Sequence, residues 1–277
     1  MGQVVVTGNF YLKGSFVLFT RDILEAIYDR YTHRAFVHPD PLETIYAFEN
    51  PQDIEVAALM AAALAYGRVE QILKSLEVFF TLAGPHPAAW LMEMDRCSLE
   101  KAFRNFRHRF AGGSHMVGFL CGVQAVLQGH GSLRAVFALK DRGGDIEEGL
   151  QGFVDEILKH APLNPRHLLP RPEKGSACKR LHLFLRWMVR KDAVDTGLWE
   201  DVGSKRLLVP LDVHMHRMAL LAKMTDRTSG DIRTTREITR AFARFTPEDP
   251  VRYDFALTRA GILEKKDPAA FLAEFIP

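Results

Sequence analysis

Leu168–Met218, LLPRPEKGSACKRLHLFLRWMVRKDAVDTGLWEDVGSKRLLVPLDVHMHRM, is the stretch whose reading decides the fold. It opens as a turn broken by prolines and Gly175. From Ser176 to Arg190, the residues Leu181, Phe184, Leu185 and Met188 recur at the spacing of a helix with one buried face. Lys179, His182, Arg186 and Arg190 form a basic stripe on the other side. A polar loop carrying Trp199 follows. Pro210-Leu211-Asp212 then leads into a second helix, with Met215, Met218, Ala219 and Ala222 as its apolar face. Asp212 stands where an N-cap belongs, and a carboxylate bonded to helix-end N–H groups stays ionised. A lysine and a carboxylate at two successive helix heads are the residue types that nucleophilic and proton-transfer chemistry uses.

Outward from this stretch the helical period continues. Ile23, Ile27 and Tyr31 recur every four residues, and Val37–Asn50, with two X-Pro steps, reads as a connecting loop. An alanine-rich helix runs through Ala57, Met60, Ala61, Leu64 and Ala65, capped by Gln52 or Asp53, and its small side chains suit a central buried position. Further helices are expected over Val69–Leu82, Leu99–Phe110, Met116–Gln128, Leu133–Leu139, Ile146–His160, Arg236–Phe245, Val251–Ile262 and Pro268–Phe275. In Leu99–Phe110, Phe103, Phe106 and Phe110 share a face, and Lys101, Arg104, Arg107 and Arg109 read as a solvated face in preference to a DNA-facing one. Pro162–Pro172 is the best internal boundary. With no run of alternating strands, the expectation is an all-α fold of about ten helices.

At 277 residues the chain is long enough for a large core in one domain or two interlocked lobes. A hydrophobic fraction of 47% and a charged fraction of 25% are ordinary for a globular protein and argue against global disorder. Three widely spaced cysteines without a CxxC argue against a disulfide framework, a zinc finger or a four-cysteine cluster, and suit a reducing cytoplasm. The apolar run Val56–Tyr66 is too short to span a bilayer, so no membrane is expected. Residues 1–18 read as an extension outside the functional core, leaving 19–277 as the folded unit.

The net charge is only +2, yet Arg166–Arg206 holds ten basic residues against five acidic ones. That local surplus points to a polyanion partner. The helix start at Lys174, Gly175 and Ser176, where Gly175 admits positive φ and Ser176 is placed to cap, is a candidate phosphate site, with Arg180, Arg186 and Arg190 extending it. His214 and His216 invite a metal reading, but an i, i+2 pair on a helix diverges, so no metal site is expected.

PLDVHMHRMALLAKM resembles the VDTHV-type segment of the helix-hairpin-helix DNA glycosylase superfamily. In that superfamily the aspartate opening this helix is the catalytic carboxylate. Bifunctional members add a catalytic lysine at the start of the helix after the hairpin, the place Lys179 takes in KGSACKRLHLFLRWMVR. The 33-residue separation of Lys179 and Asp212 is most similar to that of the archaeal 8-oxoguanine glycosylases. Tyr253-Asp254-Phe255-Ala256-Leu257-Thr258 resembles their base-recognition helix, with Thr258 where an aromatic is expected, and Leu169–Gly175 replaces the hairpin's LPGVG-like core. From Phe19 to Pro277 the chain also resembles a bacterial family of conserved hypothetical proteins.

The resemblance implies two interlocked lobes, meeting near residues 162–172, with a DNA-binding cleft between them. It further implies a DNA repair glycosylase with AP-lyase activity, working without a cofactor on damaged or abasic DNA in the cytoplasm, associated with the nucleoid, as a monomer or weak homodimer. The damaged nucleotide is flipped into the cleft, Lys179 attacks C1′ and forms a Schiff base, and Asp212 stabilises the oxocarbenium-like sugar or relays the proton. A free lysine amine titrates at about 10.4, so burial together with Arg180 and Arg186 is expected to disfavour the ammonium. Lys174 is the rival nucleophile. Trp199, in its polar loop, and Trp187 are candidates to stack on the flipped base, and Asp254 to bond its edge. Two other readings stand beside this one: a non-catalytic nucleic-acid-binding module, and a metal-dependent hydrolase using Asp212, His214 and His216.

Overall fold

A computed structural model describes residues 19–263 and 266–275. The extension assigned to residues 1–18 lies outside the described residues. The described residues are all-α apart from a two-strand hairpin. In order the helices are α1 (Arg21–Tyr31), α2 (Pro51–Leu64), α3 (Val69–Ala83), α4 (Pro87–Glu93), α5 (Arg96–Ala102), α6 (Gly113–His130), α7 (Leu133–Lys140), α8 (Ile146–His160), α9 (Lys179–Val189), α10 (Val213–Leu221), α11 (Ile232–Ala243), α12 (Asp254–Leu263) and α13 (Pro268–Ala273). Strands β1 (Arg107–His108) and β2 (Ala111–Gly112) pair antiparallel between α5 and α6. Short 3-10 turns fill the proline-rich connections, including Pro41–Ala47, Arg166–Leu168 and Pro172–Lys174. No helix of the described residues is long and apolar enough to cross a membrane.

The alanine-rich helix is central. Every residue of α2 from Asp53 to Leu64 is buried, and its five alanines let α4, α9 and the Pro41–Ala47 turn approach closely. Its cap is Asn50, whose Oδ1 accepts from the Gln52 and Asp53 N–H groups, and not Gln52 or Asp53 themselves. Glu55, also buried, accepts from the Leu133 and Arg134 N–H groups at the head of α7 (2.7 and 3.2 Å) and from Trp199 Nε1 (2.8 Å). One carboxylate on α2 thereby fixes both α7 and the loop after α9.

Two groups of helices flank this centre. α4 to α8 pack on one another, with α6 lying along α8. α1 packs on α12, and α12 on α10 and α13, so the beginning and end of the described chain meet. The helix expected over Leu99–Phe110 is overturned: α5 ends at Ala102, and the chain turns through the hairpin. Phe103 and Phe106 enter the core, while Phe110 is 63% exposed at the hairpin tip.

Candidate functional site

α9 starts at Lys179, two residues later than Ser176 as cap would require. Cys178 precedes it with φ +40, and Ser176 forms a bridge to Asp231, its Oγ 3.2 Å from Cys178 Sγ. Gly175 adopts φ +71, the left-handed conformation its type favours. This turn points Lys179, the first residue of α9, at the first turn of α10. There Asp212 caps the helix, Oδ1 accepting from the His214 and Met215 N–H groups at 2.9 and 2.8 Å. Its other oxygen lies 3.3 Å from Lys179 Nζ. Two residues 33 positions apart in sequence thus form an ion pair, with side chains 33% and 17% exposed. Burial alone would raise the Asp212 pKa, but the Lys179 charge and the Met215 N–H outweigh it, so the carboxyl sits below its usual range.

The pair stands in the wall of a pocket of about 640 Å3. It is lined by Pro39–Pro41, by Ala65, Tyr66 and Gly67 just after α2, and by Pro210, Asp212–His214 and residues of α12. Asp254 and Thr258 line the same pocket. Burial pushes Asp254 up to about 6, with Arg186 pulling the other way. The two carboxyls therefore separate: Asp212 is held ionised, and Asp254 holds its proton to higher pH.

Several residues expected at a ligand surface are buried or committed to other partners, although Arg186 does border the pocket. Arg186 and Arg190 are 3% and 4% exposed. Arg186 binds Asp195 and Asp254, and Arg190 binds Asp192, Asp195 and Asp249, so neither is free for a phosphate. Arg180 donates to the Ala63 carbonyl (2.7 Å) and lies over the Tyr66 ring, its pKa pushed down to about 10 by burial. The stripe is interior because the loop after α9 and α12 cover that side of the helix with carboxylates. Trp199 and Trp187 are 0% and 1% exposed. Trp199 is packed edge-on against Phe184 and bonded to Glu55, so neither indole is placed to stack on a base.

Lys174 is exposed in the Pro172–Lys174 turn, off the pocket wall, whereas Lys179 is on it. His214 lines the pocket, but His216 turns away and donates from Nε2 to the Arg227 carbonyl (2.8 Å). Among the described residues, no group of three or more His, Cys, Asp and Glu is arranged to hold a metal ion. The sequence reading missed His182, which α9 buries at 1% exposure with both ring nitrogens unpartnered. Its i, i+3 relation to Lys179 made it look like part of a solvated stripe.

No curated protein and no solved structure matches the chain significantly. A family described as "Protein of unknown function (DUF2400)" matches residues 40–263, a span that takes in Lys179, Asp212 and Asp254, and the chain belongs to that family.

Proposed function

We propose that this protein is a DNA repair glycosylase with AP-lyase activity, acting on a damaged base of the 8-oxoguanine kind through a Schiff base on Lys179. The observation that carries the reading is the Lys179–Asp212 pair, 3.3 Å apart at the wall of a 640 Å3 pocket, a volume in the range of small-molecule sites. A base inside a duplex is out of reach of such a recess, so the nucleotide is extruded into it. Lys179 Nζ attacks C1′ as the free amine while Asp212, held ionised, stabilises the oxocarbenium-like sugar, and the proton that Nζ loses on attack goes to the departing base. The C1′–N bond breaks, the base leaves with a proton, and the sugar ring opens to the Schiff base. β-Elimination then breaks the C3′–O bond and cuts the strand. In this reading Asp254 and Thr258, among the polar groups that line the pocket, would meet the extruded base.

Borohydride trapping tests this. Wild type with oligonucleotides carrying an abasic site or 8-oxoguanine is expected to give a covalent adduct. Lys179→Gln abolishes it, Lys174→Gln leaves it unchanged, and Asp212→Asn lowers its rate by about 100-fold or more while keeping an adequate helix cap. An adduct that survives Lys179→Gln and vanishes with Lys174→Gln moves the nucleophile. Tight binding with no adduct on any substrate replaces the enzyme by a non-catalytic binding module.

A further inference from the structure

We infer that the surface formed by Arg68, Arg107, Arg109, Phe110, Arg166 and His167 is the nucleic-acid-binding face, holding the phosphodiester backbone beside the pocket with one base stacked on Phe110. The assignment of the ligand rests on reading the pocket as a site acting on nucleic acid; the surface itself is argued from four observations.

The first is position. Tyr66 and Gly67 line the pocket, and the β1–β2 hairpin is pinned to them. His108, 0% exposed, donates from Nε2 to the Tyr66 carbonyl (3.1 Å), Ser75 Oγ lies 2.9 Å from its Nδ1, and Tyr66 OH donates to the His108 carbonyl (3.1 Å). Arg109 lies across Gly67: a Cβ there would sit 2.8 Å from Arg109 Cδ, and the φ of +105 favours glycine as well. The second is charge. Arg68, Arg104, Arg107, Arg109 and Arg166 are exposed, and none has an ion-pair or side-chain hydrogen-bond partner among the described residues. Elsewhere on the surface some arginines pair, as Arg134 with Asp201 and Arg252 with Glu25, and others, such as Arg217 and Arg240, do not among the described residues; what sets this group apart is that its members lie together beside the pocket. Glu70 is the single acidic residue in segments 66–70, 104–115 and 163–169.

The third is the exposed aromatic. Phe110, 63% exposed, lies 5.3 Å from the His167 ring, with the Arg109 guanidinium 5.4 Å from its centroid. Interleaved arginines and rings are what a strand needs: guanidinium forks take phosphate oxygens, and a ring face takes any base. The fourth is backbone. Arg109 and Arg166 adopt φ of +51 and +48, a conformation that costs an arginine about 1 kcal/mol or more. Two such arginines on one face hold side chains outward at positions where asparagine or glycine is the ordinary choice. An acidic protein partner would use the charge but has no use for the pocket beside it.

The test is fluorescence anisotropy with the full chain and labelled single-stranded and duplex 20-mers containing a reduced abasic analogue, across a salt series. The triple variant Arg107→Gln/Arg109→Gln/Arg166→Gln is expected to weaken binding at least tenfold and to flatten the slope of log K against log salt by about 2. Phe110→Ala weakens binding at least about fivefold with the slope unchanged. Arg134→Gln, outside the patch, behaves as wild type. A triple variant with wild-type affinity and slope overturns the proposal, and so does polyglutamate competing as well as the oligonucleotide. The two readings separate cleanly. Lysine-dependent trapping with the triple variant binding normally removes the patch and leaves the chemistry. Patch-dependent binding with no adduct removes the chemistry and leaves the patch. Wild type that binds neither oligonucleotide overturns both.

Discussion

Arginines on α9 and arginines on the β1–β2 hairpin look alike in sequence and meet opposite ends in the fold. Arg186 and Arg190 are almost fully buried and surrounded by Asp192, Asp195, Asp249 and Asp254. Arg107 and Arg109 stand in solvent without a carboxylate. What separates the two sets is where the carboxylates lie. Asp192 and Asp195 follow α9 in a loop that folds back over it, and Asp249 and Asp254 arrive from about sixty residues away. Two of the arginines in the positive surplus of residues 166–206, Arg186 and Arg190, are therefore interior, while Arg166 from the same segment faces outward with the hairpin arginines. On the proposed reading the consequence is a relocation, with polyanion binding assigned to the pocket rim in place of α9.

The largest effect that sharpens this contrast is expected at Arg186. Replacing it with Met fits the hydrocarbon stem but leaves Asp254 and Asp195 buried with less compensation, a loss of about 3–5 kcal/mol. Urea unfolding measures it, and because the pair is shielded from solvent the loss stays nearly constant between low and high salt. Adding Asp254→Asn recovers part of the loss, since the orphaned charge is then removed. An Arg186→Met protein as stable as wild type would break the comparison, because α9's arginines would then be as dispensable as surface ones.

His182 gives a second, pH-dependent measure of the same buried face. Burial lowers its pKa from 6.5 to about 4, so the folded state prefers the neutral ring. The unfolded chain binds a proton that the native one does not, so the contribution is present above pH 6.5 and lost as pH falls toward 4. Over that window it amounts to about 3 kcal/mol at most. His182→Leu removes this term, and the difference in Tm between pH 7 and pH 4.5 shrinks accordingly. An unchanged pH profile would mean that the ring is not held neutral by its surroundings.

How much of this was legible depended on whether the deciding contact was local. α8 runs over Ile146–His160 as read, because its Asp145 cap, amphipathic stripe and basic last turn all lie within the helix. Asp212 was legible as a cap for the same reason. The 3.3 Å approach of Lys179 to Asp212 was not, since it depends on how α9 and α10 pack, and only a resemblance brought the two together beforehand. Trp199 misled because polar neighbours in sequence say nothing of Glu55, 144 positions away, which takes its N–H into the core. The hairpin misled in a more instructive way. Phe103, Phe106 and Phe110 have the spacing of a helix face, yet two of them fill the core on either side of a bend, and the third is outside. Periodicity over about two turns does not distinguish the two.

The smallest expected effect is the one that bears most directly on the contrast. Arg107 is exposed and has no partner to abandon among the described residues, so Arg107→Gln leaves no buried charge unpaired and no cavity. Its stability should stay within about 0.5 kcal/mol of wild type, the range of surface substitutions away from special features. If anything it gains slightly at low salt, because the unpaired arginines at the rim repel one another, and that gain fades as salt screens them. Urea unfolding at two salt concentrations reads both. A loss comparable to that of Arg186→Met would mean that the hairpin arginines are structural after all, and a face needed to hold the fold together is a poor candidate for holding a ligand.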